Sequence, residues 1–288
     1  KPLAVGDRIV TCTIPCGHCD ACLNMRDRDN LCEHSGIYGL MPADDHYHFN
    51  GWFSDYLVIR PGSTFFKVND MSLKLRLLIE PAAVVVHAVE RAKSTGLLTF
   101  NSNVLIQGVG PIGLMLLAVV RTMGVENITV VDGDEKRLQM AKRFGAKYTV
   151  NFKNYKDLDE QTRRIKEVTG GRGADFAFQC TGVPSAASNV WKFVKRGGGL
   201  AEIGFFVDNG SCTINPHFDI CNKEITMVGS WTYKVSDYPI TMDFLRRAVG
   251  IGLPIEELVT HEFPLDQMNE AMDVNMKQLG IKIAYVAK

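Results

Sequence analysis

A glycine-rich turn between an apolar strand and an apolar helix constrains the fold of this chain more than any other feature. Gly108, Gly110 and Gly113 have the Gly-x-Gly-x-x-Gly spacing, with Pro111 and Ile112 between the last two. In dinucleotide-binding folds, the first glycine allows a tight turn, the second lets the backbone approach a pyrophosphate, and the third permits close helix packing. The alternative is a glycine-rich turn in an ordinary α/β core. Because the turn joins a strand to a helix, the pattern favours a dinucleotide site.

Apolar runs and amphipathic segments alternate around this turn, and such alternation predicts a parallel sheet. We expect strands near residues 104–109, 127–132, 148–150, 175–180, 199–204 and 224–229, and helices over 111–123, 134–144, 157–169 and 184–195. Six strands with intervening helices predict an α/β fold with a doubly wound, parallel, six-stranded Rossmann domain. Upstream of this domain, Pro81 is expected at the start of a helix over 82–93.

The flanking regions differ in amino-acid composition from this central part. Residues 1 to about 70 are rich in Gly, Pro, Asp and His, and β-type runs at 7–13 and 52–59 indicate small strands and loops. After about residue 230, helices at 238–250 and 264–275 and a strand at 282–286 are expected. We predict a mainly β domain at 1–86, a nucleotide-binding domain at 87–233, and a segment at 234–288 that returns to the first domain.

An acidic residue at the end of the second strand of this domain favours NAD over NADP. Asp132 lies 19 residues after Gly113, close to the ~20 expected for a carboxylate that accepts hydrogen bonds from the adenosine ribose. A carboxylate there repels a 2′-phosphate, and the following Gly-Asp-Glu offers no cation to bind one. Arg137 either lies over the adenine or is a solvated helix charge, and both alternatives stay open.

Two further strand ends are expected to meet the nicotinamide, because parallel α/β sheets bind ligands at the carboxyl ends of their strands. These residues are Cys180, Thr181 and Gly182 after the fourth strand, and Gly204 and Phe205 after the fifth. Free cysteine is usually buried. We therefore interpret Cys180 as a small buried residue in preference to a thiolate nucleophile.

Four of the eight cysteines lie in one short stretch. Cys16, Cys19, Cys22 and Cys32 have the spacing C-x2-C-x2-C-x9-C, and four thiolates can close a tetrahedral shell around zinc. A closed shell leaves no position for water, so a zinc in the lobe at 16–32 is expected to be structural. The alternatives are reduced cysteines without metal, or a disulfide pair, which a reducing compartment disfavours.

Composition excludes several classes of function. The chain has 32 basic and 32 acidic residues, so no bulk charge attracts nucleic acid or anionic lipid. No apolar run approaches the ~20 residues of a membrane helix, and no signal-peptide pattern opens the chain. We expect a cytoplasmic protein with a small-molecule substrate and with no nucleic-acid or membrane partner.

In this order, the motifs resemble those of the zinc-containing medium-chain alcohol dehydrogenases, and the polyol branch with sorbitol and threonine dehydrogenases fits best. The resemblance covers essentially the whole chain and includes Asn-Gly-Trp-Phe-Ser-Asp-Tyr at 50–56, Ile-Glu-Pro-Ala-Ala at 79–83, and the segments 223–230 and 281–283. One spacing differs: this chain has nine residues before the last cysteine of the lobe, where the family usually has seven. We expect a longer loop with the same four ligands.

The resemblance implies a GroES-like catalytic domain that is N-terminally incomplete in this sequence. It also implies hydride transfer between a secondary alcohol or polyol and NAD(P), assisted by a catalytic zinc. The family's cysteine and Gly-His-Glu ligands for that zinc are expected upstream of Lys1. Glu80 is the visible residue of the site, reaching the metal directly or through its water. Alternatively, Glu80 is a carboxylate at a helix N-terminus, stabilised by the helix dipole.

Two functional hypotheses follow. The leading one is an NAD-linked, zinc-containing polyol or secondary-alcohol dehydrogenase that forms a homodimer or homotetramer through the sheet edge near 224–229. The other is a catalytically inactive protein that binds NAD and one structural zinc and has a binding or structural role. The cysteine lobe and Glu80 disfavour a third hypothesis, a zinc-free quinone reductase relative. Trp52, Phe53 and the loop at 43–50 are expected near the substrate without defining it.

Overall fold

The fold is taken from a computed structural model in which residues 2–41 and 49–287 are described. The chain divides into two compact units. The first contains Lys1–Ala83, Thr232–Arg246 and Glu256–Lys288, and the second contains Val84–Trp231 and Arg247–Ile255. Most of the loop expected near the substrate, at 43–50, lies outside the described residues. The domain boundaries given above stay a prediction.

The described residues form short and medium-length strands and helices. The strands are β1 Ile9–Thr11, β2 Phe65–Lys67, β3 Val104–Gln107, β4 Ile128–Asp132, β5 Tyr148–Asn151, β6 Ala174–Gln179, β7 Val194–Glu202, β8 Thr226–Gly229, β9 Val259–Phe263 and β10 Lys282–Tyr285. The α-helices are α1 Asp20–Asn24, α2 Leu73–Lys93, α3 Pro111–Thr122, α4 Glu135–Arg143, α5 Leu158–Val168, α6 Pro184–Phe193, α7 Asp237–Gly250 and α8 Met268–Met276.

The second unit is built on one six-stranded parallel sheet. Its strand order is β5-β4-β3-β6-β7-β8, and every neighbouring pair is parallel. The order reverses between β3 and β6, which is the switch point where doubly wound sheets open a crevice for a ligand. The predicted Rossmann fold is therefore confirmed.

Burial explains why the central strands form. All four residues of β3 are buried, and Phe176, Ala177 and Phe178 of β6 are fully buried. Strands covered on both faces need continuous apolar runs, and these strands have them. Helix α3 is also almost wholly buried, from Gly113 to Val120. The glycine turn thus joins two of the most deeply buried elements of the unit, β3 and α3, and the packing of both fixes its position.

The first unit contains two short strand pairs. β1 pairs antiparallel with β2, and β10 pairs parallel with β9. Helix α8 connects β9 to β10, as a parallel pair requires a crossover. The strand expected at 52–59 is wrong, because that segment forms no ladder: Ser54 Oγ instead donates to the carbonyl oxygens of Gly51 and Tyr56, which holds the backbone in turns.

The expected position of Pro81 at the start of a helix is wrong. The helix begins at Leu73, so Pro81 lies inside it and not at its start. Ser72 supplies the real start signal, because its hydroxyl accepts the N–H of Leu75 at 3.2 Å. Proline removes one intrahelical hydrogen bond, and the complete burial of apolar residues such as Leu78 in the surrounding turns offsets that loss.

Helix α6 is shorter than expected. It ends at Phe193, and β7 begins at Val194 without a loop, whereas the helix was predicted to reach residue 195. Among the described residues, no helix has the length and apolar character needed to span a membrane.

Candidate functional site

Two of the three glycines in the turn after β3 have no room for a side chain. Gly108 has φ +88°, in the left-handed region that favours glycine. A Cβ on Gly108 would lie within 3.0 Å of Thr181 Cγ2, and one on Gly113 would lie 2.9 Å from the carbonyl carbon of Gly108 and closer still to its oxygen. By contrast, a Cβ on Gly110 would meet only Arg137 Nη1, at 3.9 Å. Gly110 therefore borders open space.

The first turn of α3 is not capped by a protein side chain. Its N-cap is Gly110, which makes no side-chain hydrogen bond, and Pro111 has no N–H. The next two helices of the unit are capped: Asp134 accepts the N–H of Arg137, and Asp157 accepts the N–H of Glu160. An uncapped helix start beside an open glycine turn suits an anionic group, because its free N–H groups and the helix dipole both attract negative charge.

Asp132 is held rigidly beside this turn. Its Oδ2 accepts the N–H of Val109 at 2.8 Å, and its Oδ1 accepts the N–H groups of Gly133 and Asp134 at 2.7 and 2.9 Å. A carboxylate has about four lone-pair positions, so three amide bonds leave one for a ligand hydroxyl. The geometry fits the expected ribose contact and keeps the charge close to the turn.

Two residues lie near Asp132 and the glycine turn: Phe152, which sequence reasoning did not anticipate, and Arg137, which it did. A Cβ on Gly133 would lie 2.5 Å from Phe152 Cζ, so the Phe152 ring occupies the space that a side chain at 133 would fill. That ring is 48% exposed. Arg137 lies beside Gly110, as its Nη1 position shows. An aromatic ring next to a ribose-binding carboxylate is suited to stack against an adenine base. Phe152 reaches this position because it follows β5, which pairs with β4.

The ends of β6 and β7 approach each other closely. A Cβ on Gly204 would lie within 3.0 Å of the carbonyl oxygen of Thr181, and one on Gly182 within 3.0 Å of Asn209 Nδ2. Burial of the Cys180 thiol raises its pKa, which agrees with a protonated thiol, while the residue as a whole is half-buried. Phe205, one residue past Gly204, is partly buried. The predicted nicotinamide residues thus lie together at the carboxyl edge of the sheet.

The last residue of β7, Glu202, is a carboxyl group that sequence reasoning did not anticipate. Its Oε1 accepts the N–H of Gly204 at 2.8 Å. Burial raises its pKa to about 7, although the N–H groups of Gly204, Phe205 and Ile203 lower it. A signal was present in the sequence, since an acidic residue interrupts the apolar run at 200–203.

The four predicted zinc ligands converge. The Sγ atoms of Cys16, Cys19, Cys22 and Cys32 all lie within 4.8 Å of one another, and no other cluster of metal-binding side chains occurs in the described part of the chain. The Sγ atoms of Cys16 and Cys22 are 4.0 Å apart, close to the ~3.8 Å edge of a tetrahedron with Zn–S bonds of about 2.3 Å. The donor set therefore fits zinc.

Backbone amides support these thiolates. The N–H of Cys16 donates to Cys32 Sγ at 3.2 Å, and the N–H of Cys19 donates to Cys16 Sγ at 3.4 Å. The N–H groups of Cys22 and Glu33 lower the pKa of Cys19 to about 6, which favours a thiolate there, whereas burial raises the pKa of Cys32. The described cysteines form no disulfide.

Glu80 lies inside α2, so the interpretation of it as a helix N-terminal carboxylate is wrong. It is accessible to solvent, but the surrounding protein displaces part of its hydration and raises its pKa. The positive charge of Lys282 and a hydrogen bond with Tyr233 act in the opposite direction. Tyr233 is buried, and its ring contacts that of Tyr238 at 5.4 Å.

The residue before Tyr233 is strained. Thr232 has φ +48°, a conformation that is unusual for any residue except glycine and is an outlier for a β-branched one. Such strain occurs where the surrounding structure fixes a functional side chain. Tyr233, the next residue, is the hydrogen-bond partner of Glu80.

The residues expected near the substrate are exposed in the first unit. Trp52 contacts Tyr38 edge-on at 6.2 Å, and Phe53 contacts Tyr285 in the same way at 6.2 Å. Strand β8, expected at a subunit interface, forms one edge of the sheet, and its Met227 is exposed. The roles of these residues, like those of the cofactor and metal residues above, stay predictions.

Comparison with known proteins defines the class. The family model described as "Zinc-binding dehydrogenase" matches residues 111–247. The sorbitol dehydrogenase of Bacillus subtilis is 34% identical over 270 residues, which cover 93% of this chain and 70% of that protein. The L-idonate 5-dehydrogenase of Vitis vinifera is 30% identical over 282 residues, covering 96% of this chain and 71% of that protein. The chain belongs to the zinc-binding dehydrogenase family.

Solved structures support the same assignment. An alcohol dehydrogenase from Thermotoga maritima superposes with a TM-score of 0.90 at 27% identity, covering 99% of this chain and 77% of that one. The 2R,3R-butanediol dehydrogenase of Bacillus subtilis superposes with a TM-score of 0.78 at 28% identity, covering 98% of this chain and 74% of that one. The predicted polyol branch and the dehydrogenase function are confirmed, and the inactive binding protein is not favoured.

Proposed function

We propose that this protein is an NAD-linked dehydrogenase of polyols or other secondary alcohols. The observation that carries the proposal is the similarity to the Bacillus subtilis sorbitol dehydrogenase over 93% of the chain. The other named relatives support the substrate class, since they include an L-idonate, a D-arabitol-phosphate and an L-arabinitol dehydrogenase. Asp132, held beside the glycine turn, supports NAD over NADP.

The chain's own residues would divide the binding of NAD between them. Gly108, Gly110 and Gly113 let the backbone meet the pyrophosphate, which the free N–H groups of Ile112 and Gly113 at the start of α3 would bind. Asp132 would accept a hydroxyl of the adenosine ribose at its remaining lone pair. The following residues would hold the nicotinamide end at the edges of β6 and β7: Cys180, Thr181, Gly182, Gly204 and Phe205.

When bound, NAD would supply the hydride acceptor for the alcohol carbon, and a catalytic zinc would supply a Lewis acid that makes the alcohol proton more acidic. We assign to Glu80 the task of supplying a carboxylate near that metal. Tyr233 would fix the orientation of the carboxylate through its hydrogen bond. Cys16, Cys19, Cys22 and Cys32 would hold a second, structural zinc, which makes no contact with substrate.

Replacement of Asp132 by asparagine should reduce the preference for NAD. The change removes the negative charge that opposes a 2′-phosphate, so the ratio of NADP to NAD affinity should rise about tenfold, equivalent to about 1.4 kcal/mol. Dissociation constants for both nucleotides, measured by calorimetry, test this. As a control, Asp157→Asn removes a charge at the N-cap of α5 and should leave the ratio unchanged. An unaltered ratio in Asp132→Asn would remove the basis for choosing NAD.

Replacement of Glu80 by glutamine should lower turnover of a polyol about 10- to 100-fold, as loss of a residue that supports a catalytic metal commonly does. NAD binding should not change, because the cofactor residues belong to the second unit and Glu80 to the first. Steady-state rates of NADH formation and a separate NAD titration distinguish the two effects. Glu90→Gln, on the same helix and paired with exposed Lys93, is the matched control. Full activity in Glu80→Gln would exclude Glu80 from the site.

The assembly is part of the proposal. We infer a homodimer or homotetramer that forms through the exposed edge at β8, because an unpaired edge strand is a ready template for pairing. Analytical ultracentrifugation of the protein and of a Met227→Lys variant tests it. Lysine on this edge should shift the protein towards monomer, and an unchanged sedimentation profile would place the interface elsewhere.

A further inference from the structure

Glu202 is a carboxyl group in an otherwise apolar position of the sheet. It is paired in register with Gln179 on β6 and with Gly229 on β8. The two residues before it, Leu200 and Ala201, are buried, and Glu202 itself is partly buried. A carboxylate in such a position costs desolvation energy unless something compensates it. Its presence at a ligand-binding strand end therefore calls for a functional reason.

Polar groups surround Glu202, and one cation lies near its partner on β8, since Arg91 Nε of α2 donates to the carbonyl oxygen of Gly229 at 3.3 Å. The N–H of Gly204 donates to its Oε1 at 2.8 Å. Gln179, on the neighbouring strand, is fully buried, and its Nε2 has no hydrogen-bond partner among the described residues. Cys180 is the titratable group that faces Glu202 from β6, and the charge of Glu202 helps to keep that thiol protonated. Within the described residues Glu202 forms no ion pair, and burial is the largest influence on its pKa.

The position of this charge matters because of the adjoining residues. Gly204 and Phe205 lie two and three residues after Glu202, and Cys180 to Gly182 follow the end of the neighbouring strand β6. Under the proposed function, these residues surround the nicotinamide. The oxidised nicotinamide ring carries a positive charge, and addition of a hydride, which brings two electrons and one proton, removes that charge. A nearby carboxylate therefore attracts the oxidised ring and has no such attraction for the reduced ring.

We propose that Glu202 sets the balance between oxidised and reduced cofactor at this site, by stabilising bound NAD⁺ relative to bound NADH. The inference rests on the proposed function, since it requires the nicotinamide to lie at the ends of β6 and β7. Its expected size is about tenfold in the ratio of the two affinities, which corresponds to about 30 mV in the potential of the bound two-electron couple. The shift lowers the potential of the bound couple, so it makes bound NAD⁺ a weaker oxidant and favours carbonyl reduction by enzyme-bound NADH.

The preference of the site for NAD⁺ over NADH should increase with pH. The pKa of Glu202 is about 7 because burial disfavours its charged form. Above that pH the carboxylate is ionised and favours NAD⁺, and below it the carboxyl is neutral and the preference is lost. The ratio of NADH to NAD⁺ dissociation constants should therefore rise as the pH increases from about 6 to about 8.5.

The test compares the intact protein with Glu202→Gln. Glutamine keeps an oxygen that can accept the N–H of Gly204 while it removes the charge, so the strand end should be preserved, as circular dichroism and thermal unfolding can verify. Dissociation constants of NAD⁺ and NADH are measured at both pH values. Glu126→Gln is the charge-matched control, since Glu126 is an exposed carboxylate before β4, at the opposite end of the sheet.

We expect Glu202→Gln to bind NAD⁺ about tenfold more weakly relative to NADH at the higher pH, and its ratio to be independent of pH. Glu126→Gln should match the parent protein. An unchanged ratio in Glu202→Gln, or an equal change in Glu126→Gln, would overturn the role of Glu202 while leaving NAD binding intact. Failure of the parent protein to bind either nucleotide would instead overturn the proposed function, and this inference with it.

Discussion

Gly113→Ala should abolish measurable NAD binding and destabilise the second unit. The added Cβ would meet the backbone carbonyl group of Gly108, with the carbon at 2.9 Å and the oxygen closer. That carbonyl cannot move freely, because the N–H of Gly108 donates to Val131 at 2.8 Å and its φ of +88° admits few alternatives. Overpacking of this kind costs about 1–3 kcal/mol or more, and relief requires displacement of the turn that the pyrophosphate would meet.

Calorimetry measures both consequences of Gly113→Ala. We expect at least a hundredfold loss in NAD affinity and a fall in Tm of about 4–10 °C, the range that such a free-energy loss gives in a chain of this size. Gly250→Ala is the control, because Gly250 ends α7 and an added Cβ there would have nothing within 4 Å. Alanine at this position should be neutral or stabilising by up to about 1 kcal/mol. Normal NAD affinity in Gly113→Ala would show that the turn is not the cofactor site.

The Rossmann sheet was predictable because its signals are local. Each strand is a short apolar run and each helix has its own start signal, as Asp134 and Asp157 illustrate when they cap α4 and α5. The glycine spacing then fixes which strand begins the nucleotide site. The four zinc ligands were predictable for the same reason, since three of the cysteines are close in sequence and the fourth follows a short loop.

The first unit was less predictable, because its strands pair over long separations in sequence. β1 pairs with β2 across more than fifty residues, and β9 was not anticipated at all. The strand expected at 52–59 had the right residue types, but strand propensity depends on a partner. Pro81 was misplaced because tertiary burial outweighed a strong local helix-breaking signal.

The functional residues that escaped prediction share a different cause. Phe152 and Tyr233 gain their meaning from residues on other elements, Gly133 and Glu80 respectively. Glu202 gains its meaning from Cys180, which follows the neighbouring strand β6. Propensity and periodicity report which element a residue belongs to, but not which side chains the fold brings beside it. Glu202 is the clearest case, since its acidic character near the end of an apolar strand is visible in sequence and its position near Cys180 of the neighbouring strand end is not.

Cys19→Ser should remove the zinc from the cysteine lobe and weaken the first unit. Serine cannot replace a thiolate as a soft ligand, and structural zinc contributes its binding energy directly to folding. We expect metal analysis to find one zinc fewer per chain and Tm to fall by about 10 °C, equivalent to a loss of about 3–5 kcal/mol. A chelator should lower the Tm of the parent protein to the same value. Cys221→Ser, at an exposed cysteine outside the cluster, should retain the metal and the Tm.

The consequence of losing this zinc should extend to Glu80, although no cysteine of the lobe contacts it. Asp27 of the lobe accepts hydrogen bonds from Lys234 at 2.6 Å and Ser236 at 3.0 Å, and Asp29 accepts the N–H of Val235 at 3.0 Å. These bonds anchor the residues that directly follow Tyr233.

Without zinc, the lobe should loosen and release this anchor, so that Tyr233 no longer holds Glu80. Cys19→Ser should therefore lose polyol turnover while NAD affinity in the second unit stays within about twofold of the parent value, because a change of about 0.4 kcal/mol or less in binding is about a factor of two. Turnover assays beside an NAD titration separate the two quantities. Equal loss of both would mean that the zinc lobe supports the whole chain, and retention of both would remove any structural role for the metal.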